Sequence, residues 1–252
     1  MAARPATPRR RLLSRPLSFS WGFFHRSLVD QVPRDHRQPD HEFRRRQLIA
    51  AATLVVGAVL LWLALHVRPG DPTFYPLTLG LALAYGLGAR ASGPLHLGWS
   101  HDRNGRQVRP VVAPILLGLL LLALFLLGAA MVVRVPGLRD PVEHLLDHAR
   151  LGSLPVVAAV TAVTGFTEEL FFHGALYAAV GHRFPVLVTT VAYTLVTAVS
   201  GVLLLALAGA LISFVTGLQR RTTGGVLAPI LTHLTWSMGM LFLLPVAFSL
   251  WS

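Results

Sequence analysis

The sequence predicts an all-α fold: a polytopic integral membrane bundle of about seven transmembrane helices. Three observations predict it. Of 252 residues, 54% are hydrophobic and only 13% are charged, about half the charged share of an ordinary soluble domain. The apolar residues gather in seven runs, at about 47–67, 72–89, 110–133, 152–180, 184–199, 201–218 and 225–249. Most of these reach, or nearly reach, the roughly 20 residues that cross a hydrocarbon core. The charge, finally, is segregated along the chain instead of being scattered.

Residues 1–46 carry eleven arginines, from Arg4 to Arg46, against Asp30, Asp35, Asp40 and Glu42, a net +7. With scattered prolines and little periodicity, this segment reads as a basic, mostly disordered cytoplasmic tail. It is set apart from a transmembrane domain at 47–252. The stretch Phe19–Phe24 is the part suited to a membrane surface, and the tail lacks a signal peptide's early apolar core.

From residue 47 onward the arginines orient the spans. With the tail inside, the inner loops hold Arg90, Arg103, Arg106, Arg109, Arg183, Arg220 and Arg221. Only Arg68, Arg134, Arg139 and Arg150 fall outside, and the last three lie among Asp140, Glu143 and Asp147. The positive-inside rule then gives a plasma-membrane protein with its N-terminus in the cytoplasm and its C-terminus outside. The formal net charge of +11 is thereby accounted for without nucleic acid as a partner. The expected partners are the lipid bilayer and a peptide or membrane-protein substrate that the sequence does not name. With no cysteine, disulfides, thiolate nucleophiles and zinc–thiolate clusters are excluded.

Against this background, four side chains stand inside spans where ionisable groups cost on the order of 2.5–3.5 kcal/mol each. Glu168, Glu169 and His173 lie in the fourth run, within Thr164-Gly-Phe-Thr-Glu-Glu-Leu-Phe-Phe-His-Gly174, and His233 lies in the last. On a helix Glu169 and His173 are i,i+4 neighbours, with β-carbons roughly 6 Å apart. Such a pair can share a proton, hold water or bind a metal. Glu168 is turned about 100° away, so the two acids need not share one task. The bland alternative is a helix end reaching the interface, because residues 151–180 would span about 45 Å as a helix. His233 has Ser237 as its own i,i+4 neighbour. Elsewhere, His144 and His148 sit at i,i+4 in a stretch that reads better as an amphipathic helix on the outer surface than as a metal site. His96 and His101 read as loop residues.

The block Glu168-Glu169-Leu-Phe-Phe-His173-Gly174 resembles the first motif, Glu-Glu-x-x-x-Arg, of the CAAX-protease and bacteriocin-processing (Abi) family of intramembrane endopeptidases. The stretch Phe214–His233, with its Ala-Pro-Ile helix opening and closing histidine, is similar to that family's third motif. The resemblance covers about residues 150–240. It implies a hydrolase whose site lies within the membrane, with Glu168 as the general base that activates water. Glu169 and His173 would be a supporting pair, and His233 would position the water or the oxyanion. The family is often labelled metalloprotease; a divalent metal such as zinc is compatible with that label, but nothing in the sequence requires one.

The departures are specific. His173 replaces the first motif's arginine and cannot reproduce its bidentate contact. The second motif, Phe-x-x-x-His, is best matched by Val196-Thr-Ala-Val-Ser200, which puts a serine where the histidine belongs. Ser237 occupies a position that is often asparagine. Ser200 and Ser237 are therefore expected as hydrogen-bonding residues of the cavity, with Ser200 at about the depth of Glu168 across the turn near Arg183. The substitutions keep a second reading open: a catalytically degenerate family member that binds or scaffolds a membrane protein, or serves in peptide-toxin tolerance. A third, a proton-coupled transporter relaying through Glu169 and His173, finds no inverted repeat to support it.

Overall fold

The computed structural model describes residues 15–32, 38–102 and 105–251, and nine helices occupy most of them. They are α1 (Arg15–Leu28), α2 (Asp40–His66), α3 (Phe74–Ser92), α4 (Val112–Val132) and α5 (Pro136–Arg150). After these come α6 (Leu154–Val180), α7 (Pro185–Ala198), α8 (Leu203–Thr223) and α9 (Leu227–Trp251). Each of the seven apolar runs is helical. Five helices, α2, α4, α6, α8 and α9, are long and apolar enough to cross a membrane. Polar groups dilute α3, notably Tyr75, Tyr85 and Arg90, and α7 has only 14 residues, about 21 Å of helix. The protein is thus an all-α integral membrane bundle with, among the described residues, five helices long enough to span and two lesser apolar helices between them.

Residues 1–14 and 33–37 of the expected tail lie outside the described residues, and most of the remainder is helical. Residues 15–28 form α1, and α2 begins at Asp40, so Arg44, Arg45 and Arg46 belong to a helix and Arg46 is buried. Asp40 and Glu42 occupy the first turn of α2, where carboxylates favour the positive end of the helix dipole. The end of α1 is tied to α8: the Thr222 hydroxyl donates to Ser27 O (3.2 Å), and Val32 N–H donates to Thr222 O (2.9 Å).

The packing is pairwise: α2 lies along α3, α7 along α8, and α4 along α9, while α6 contacts both α3 and α9. Outward faces carry exposed Val59, Leu83, Leu120, Leu127, Leu187 and Leu195, the surface lipid chains would cover. Inside, Tyr85 stacks on Phe171 (5.0 Å, 13°), and Phe172 meets Tyr193 edge to face (4.6 Å, 64°). This aromatic cluster fills the half of the bundle nearer Arg183 and Arg220.

At that end the loop between α8 and α9 is locked by backbone. Gly224 ends α8 in the left-handed region (φ 69°), its N–H donating to Arg220 O (3.1 Å). The segment 96–99 runs alongside, with Val226 N–H donating to His96 O (2.9 Å) and Trp99 N–H to Thr223 O (3.0 Å). A short hairpin, Ser100–His101 with Gln107–Val108, follows where a plain loop was expected. His96 is an exposed member of this layer; its partial desolvation first, then Arg220 and Arg46, hold its imidazole below the usual range.

The opposite end is covered by α5, the amphipathic helix expected there. Its Val142 and Leu146 pack with Ala129, Val133 and Phe248. Its other side pairs Arg139 with Glu143 (3.0 Å) and Arg150 with Asp147 (3.5 Å). The side chain of His148 lies outside the described residues, so the His144–His148 pairing is not described.

The closest backbone approach sets a stability test. A β-carbon at Gly225 would fall 2.0 Å from Gly98 N, whereas one at Gly128 meets nothing within 4 Å. Gly225→Ala is expected to lower stability by at least about 1–3 kcal/mol, the range for overpacking. Gly128→Ala should leave it unchanged or slightly raised. Thermal unfolding of both variants in detergent checks the contrast.

Candidate active site

The site is assembled by a change of helix type. The helix α6 is α-helical from Leu154 through Glu169 and then π-helical over Leu170–Leu176 before a last α turn. Short π segments inside α-helices recur at functional sites. Here the wider turn keeps His173 beneath Glu169, with His173 Nδ1 and Glu169 Oε2 2.6 Å apart. From α9, His233 Nδ1 reaches the other carboxylate oxygen, Glu169 Oε1, at 2.7 Å. An ionised carboxylate only accepts, so it takes an N–H from each imidazole. His173 Nε2 faces Ser213 O on α8 at 3.2 Å, with the hydroxyls of Ser213 and Thr216 each 3.4 Å away. Glu169, His173 and His233 are 1%, 0% and 4% exposed, so the triad is buried, and of the three only His233 lines the cavity beside it.

Glu168 is placed differently. Its side chain is 15% exposed and lines a cavity of about 700 Å³. Its Oε2 accepts the Tyr193 phenol O–H at 2.7 Å and stands 4.0 Å from His233 Nε2. With Nδ1 turned to Glu169, His233 presents its Nε2 to that gap. Thr164, Thr197, Ser237 and Trp236 join the wall, and the remaining lining is mainly aliphatic and aromatic. The cavity extends from Glu168 toward Val142 and Leu146 of α5. The opposite side is closed by Phe171, Phe172, Thr216 and Gln219, each exposed by no more than 1%. Neither acid is therefore at a helix end spilling into the interface.

Glu168, Glu169, His173 and His233 thus come together, and Ser237 is beside them. A β-carbon at Gly165 would be 3.8 Å from both His233 Nε2 and Ser237 Oγ. Ser200 does not come together with them. It lies in the turn after α7, its Oγ accepting Val202 N–H at 3.1 Å, and it lines a separate pocket with His66, Arg68 and His144. The expectation of equal depth for Ser200 and Glu168 treated every intervening residue as α-helix. Residues 181–184 form a turn and 170–176 a π segment, so Tyr193 is the α7 residue that faces Glu168.

Sequence reasoning missed two residues. Tyr193 reads as one more aromatic in an apolar helix; its only signal is a hydroxyl in a run otherwise free of ionisable groups. Arg220, taken for an inner-loop arginine, belongs to the last turn of α8 and is buried. Its Nε–H donates to His173 O (2.7 Å), and its guanidinium lies 5.1 Å from the Tyr177 ring centre.

The donor set does not suit a zinc ion of the usual catalytic kind, which needs three protein ligands. Both Nδ1 atoms are engaged by Glu169, which leaves only Glu168 and His233 Nε2 directed at the cavity. Among the described residues no group of three or more His, Cys, Asp or Glu could hold a metal.

Fold and site together define a helical integral membrane protein with a buried carboxylate–imidazole centre at the end of an apolar cavity. Residues 150–239 match the family model described as type II CAAX prenyl endopeptidase, Rce1-like, consistent with the CAAX-protease and bacteriocin-processing family. The matched segment holds both glutamates, His173, Tyr193 and His233. At family level this supports a CAAX-protease-like intramembrane endopeptidase. No curated protein and no solved structure matches the chain.

The two acids should separate in their effect on stability. Glu169→Ala strands two buried imidazoles and is expected to cost about 3–5 kcal/mol, as for a broken buried ion pair. Glu168→Ala removes one hydrogen bond at a cavity wall and should cost about 1 kcal/mol. Thermal melts of the purified variants in one detergent measure the difference.

Proposed function

We propose that the protein is an intramembrane endopeptidase in which Glu168 activates a water for attack on a peptide carbonyl. One observation carries the reading: Glu168 Oε2 and His233 Nε2 face each other across 4.0 Å at the end of the cavity. One water bridges such a gap with two ordinary hydrogen bonds. It donates one hydrogen to Glu168 and one to His233, leaving a lone pair for the substrate carbon. Glu168 takes the proton as the oxygen adds, then delivers it to the leaving amine as the C–N bond breaks. The products are a carboxylic acid and an amine. Glu169 orients His233 through Nδ1, and His173 anchors Glu169 in turn. Ser237 is a polar neighbour in the cavity wall.

The expected topology is a cytoplasmic N-terminus, an outer C-terminus and seven crossings of the plasma membrane, α3 and α7 completing the set. The cavity then lies in the outer half. Because the chain has no cysteine, single cysteines report directly. Arg68→Cys is expected to react with a membrane-impermeant maleimide added outside intact cells, and Arg183→Cys only after permeabilisation. The reverse pattern inverts the assignment.

A second reading has one observation in its favour: α7 brings no histidine to Glu168. On that reading the site is a polar relic in a protein that binds or scaffolds another membrane protein. An internally quenched peptide ending in a farnesylated CAAX motif separates the two. Reconstituted wild-type protein is expected to cleave it, with Glu168→Ala slower by about 10²–10⁴-fold, the usual contribution of a general base. Cleavage at the wild-type rate by stably inserted Glu168→Ala and Glu169→Ala proteins would sink the hydrolytic mechanism.

A further inference from the structure

We propose that Tyr193 is the positioning residue of the site, supplying from α7 the hydrogen bond that aims Glu168. This rests on the hydrolytic reading above. Within α7, Pro-Val-Leu-Val-Thr-Thr-Val-Ala-Tyr-Thr-Leu-Val-Thr-Ala, Tyr193 is the sole ionisable side chain. The neighbouring hydroxyls are directed elsewhere. Thr189 donates to Pro185 O (2.9 Å), Thr194 to Thr190 O (2.8 Å) and Thr197 to Tyr193 O (3.0 Å). The phenol alone crosses to α6, donating to Glu168 Oε2 at 2.7 Å.

That oxygen is the one His233 Nε2 faces at 4.0 Å. A carboxylate on a flexible side chain can present either oxygen at many angles. A donor fixed to one oxygen selects the rotation in which Oε2 meets the water site. The donor is itself held. The Tyr193 ring packs against Phe172 at 4.6 Å and is 6% exposed. On its other side Gly209 of α8 leaves room: a β-carbon there would lie 3.1 Å from Tyr193 Cδ1 and 2.7 Å from Thr197 Oγ1. Ring orientation is therefore set by packing before substrate arrives, as a preorganised site requires.

The geometry also shifts the register of the second motif. Tyr193-Thr-Leu-Val-Thr197, three residues earlier than Val196–Ser200, puts an aromatic residue first and a cavity-lining threonine fifth, where the pattern has its histidine. The imidazole of that pattern is absent, and the aromatic ring one turn before it carries a hydroxyl directed at Glu168. The polar contact has moved along the helix by four residues.

The test uses the reconstituted full chain and the same quenched farnesylated peptide. Tyr193→Phe is expected to lower kcat by about 10- to 100-fold, the scale of one hydrogen bond to a charged group, with KM unchanged. Adding Thr197→His to Tyr193→Phe is expected to recover part of the lost kcat. Should Tyr193→Phe insert poorly, 3,5-difluorotyrosine incorporated at position 193 retains the ring's packing while strengthening the donor. It is expected to shift kcat and its pH dependence. A wild-type kcat in Tyr193→Phe, or an unmoved profile with the fluorinated ring, overturns the assignment alone. A wild-type protein that leaves the peptide intact removes the hydrolytic reading, and the assignment with it.

Discussion

The carboxylate of Glu169 is the interaction on which the rest of the site depends. A buried charge in a low-dielectric bundle persists only if paired and hydrogen-bonded. Here the pairing is double, with His173 at 2.6 Å on one oxygen and His233 at 2.7 Å on the other. The first bond is internal to α6 and is made across the π segment. The second joins α6 to α9, and the far nitrogen of His173 reaches α8. One acid thus registers three helices against one another and leaves a single imidazole nitrogen directed at the cavity. Glu168, one residue earlier, is excluded from that network by helical rotation, and the same exclusion makes it available for chemistry.

The bundle is correspondingly divided. On the arginine-bearing side the space beneath Glu169 is filled by Phe171, Phe172 and Tyr85, and Arg220 secures the His173 carbonyl. On the other side the walls are aliphatic and separated enough to leave about 700 Å³. Water positioned at Glu168 would be backed by the packed half and exposed only to what enters the cavity. Electrostatic interactions strengthen in such a water-poor setting, so few polar groups suffice.

Much of this was legible in the sequence, for physical reasons that also mark the limits. Apolar runs reveal helices because a bilayer penalises anything else, and α2 through α9 followed those runs, α5 excepted. Glu168, Glu169, His173 and His233 stood out because charge is scarce and costly there. Tyr193 did not, since a tyrosine is unremarkable in an apolar helix until its hydroxyl is seen to have a partner. Ser200 misled because depth was counted along uninterrupted α-helix, and neither the π segment nor the four-residue turn at 181–184 announces itself in composition. Arg220 was assigned to a loop because a terminal turn and a loop look alike in a basic stretch. The start of α2 at Asp40 was missed likewise: polar helix residues beyond the apolar run carry no hydropathy signal.

The departures from the motif letters look like losses when taken one at a time. Taken together in space they compensate. A histidine at 173 in place of an arginine gives Glu169 a partner one turn away on its own helix, and the guanidinium absent from α6 is found on α8 at the same residue's carbonyl. The imidazole absent from α7 is answered one turn earlier by the Tyr193 phenol. Each change keeps a donor near the acid it serves while altering which helix, or which turn, provides it. A site decaying without function would have no need to satisfy both glutamates, because a buried acid is more cheaply replaced by an apolar residue of similar volume. Two adjacent acids within one span, each met by its own donors, are the costly feature around which the surrounding helices are packed.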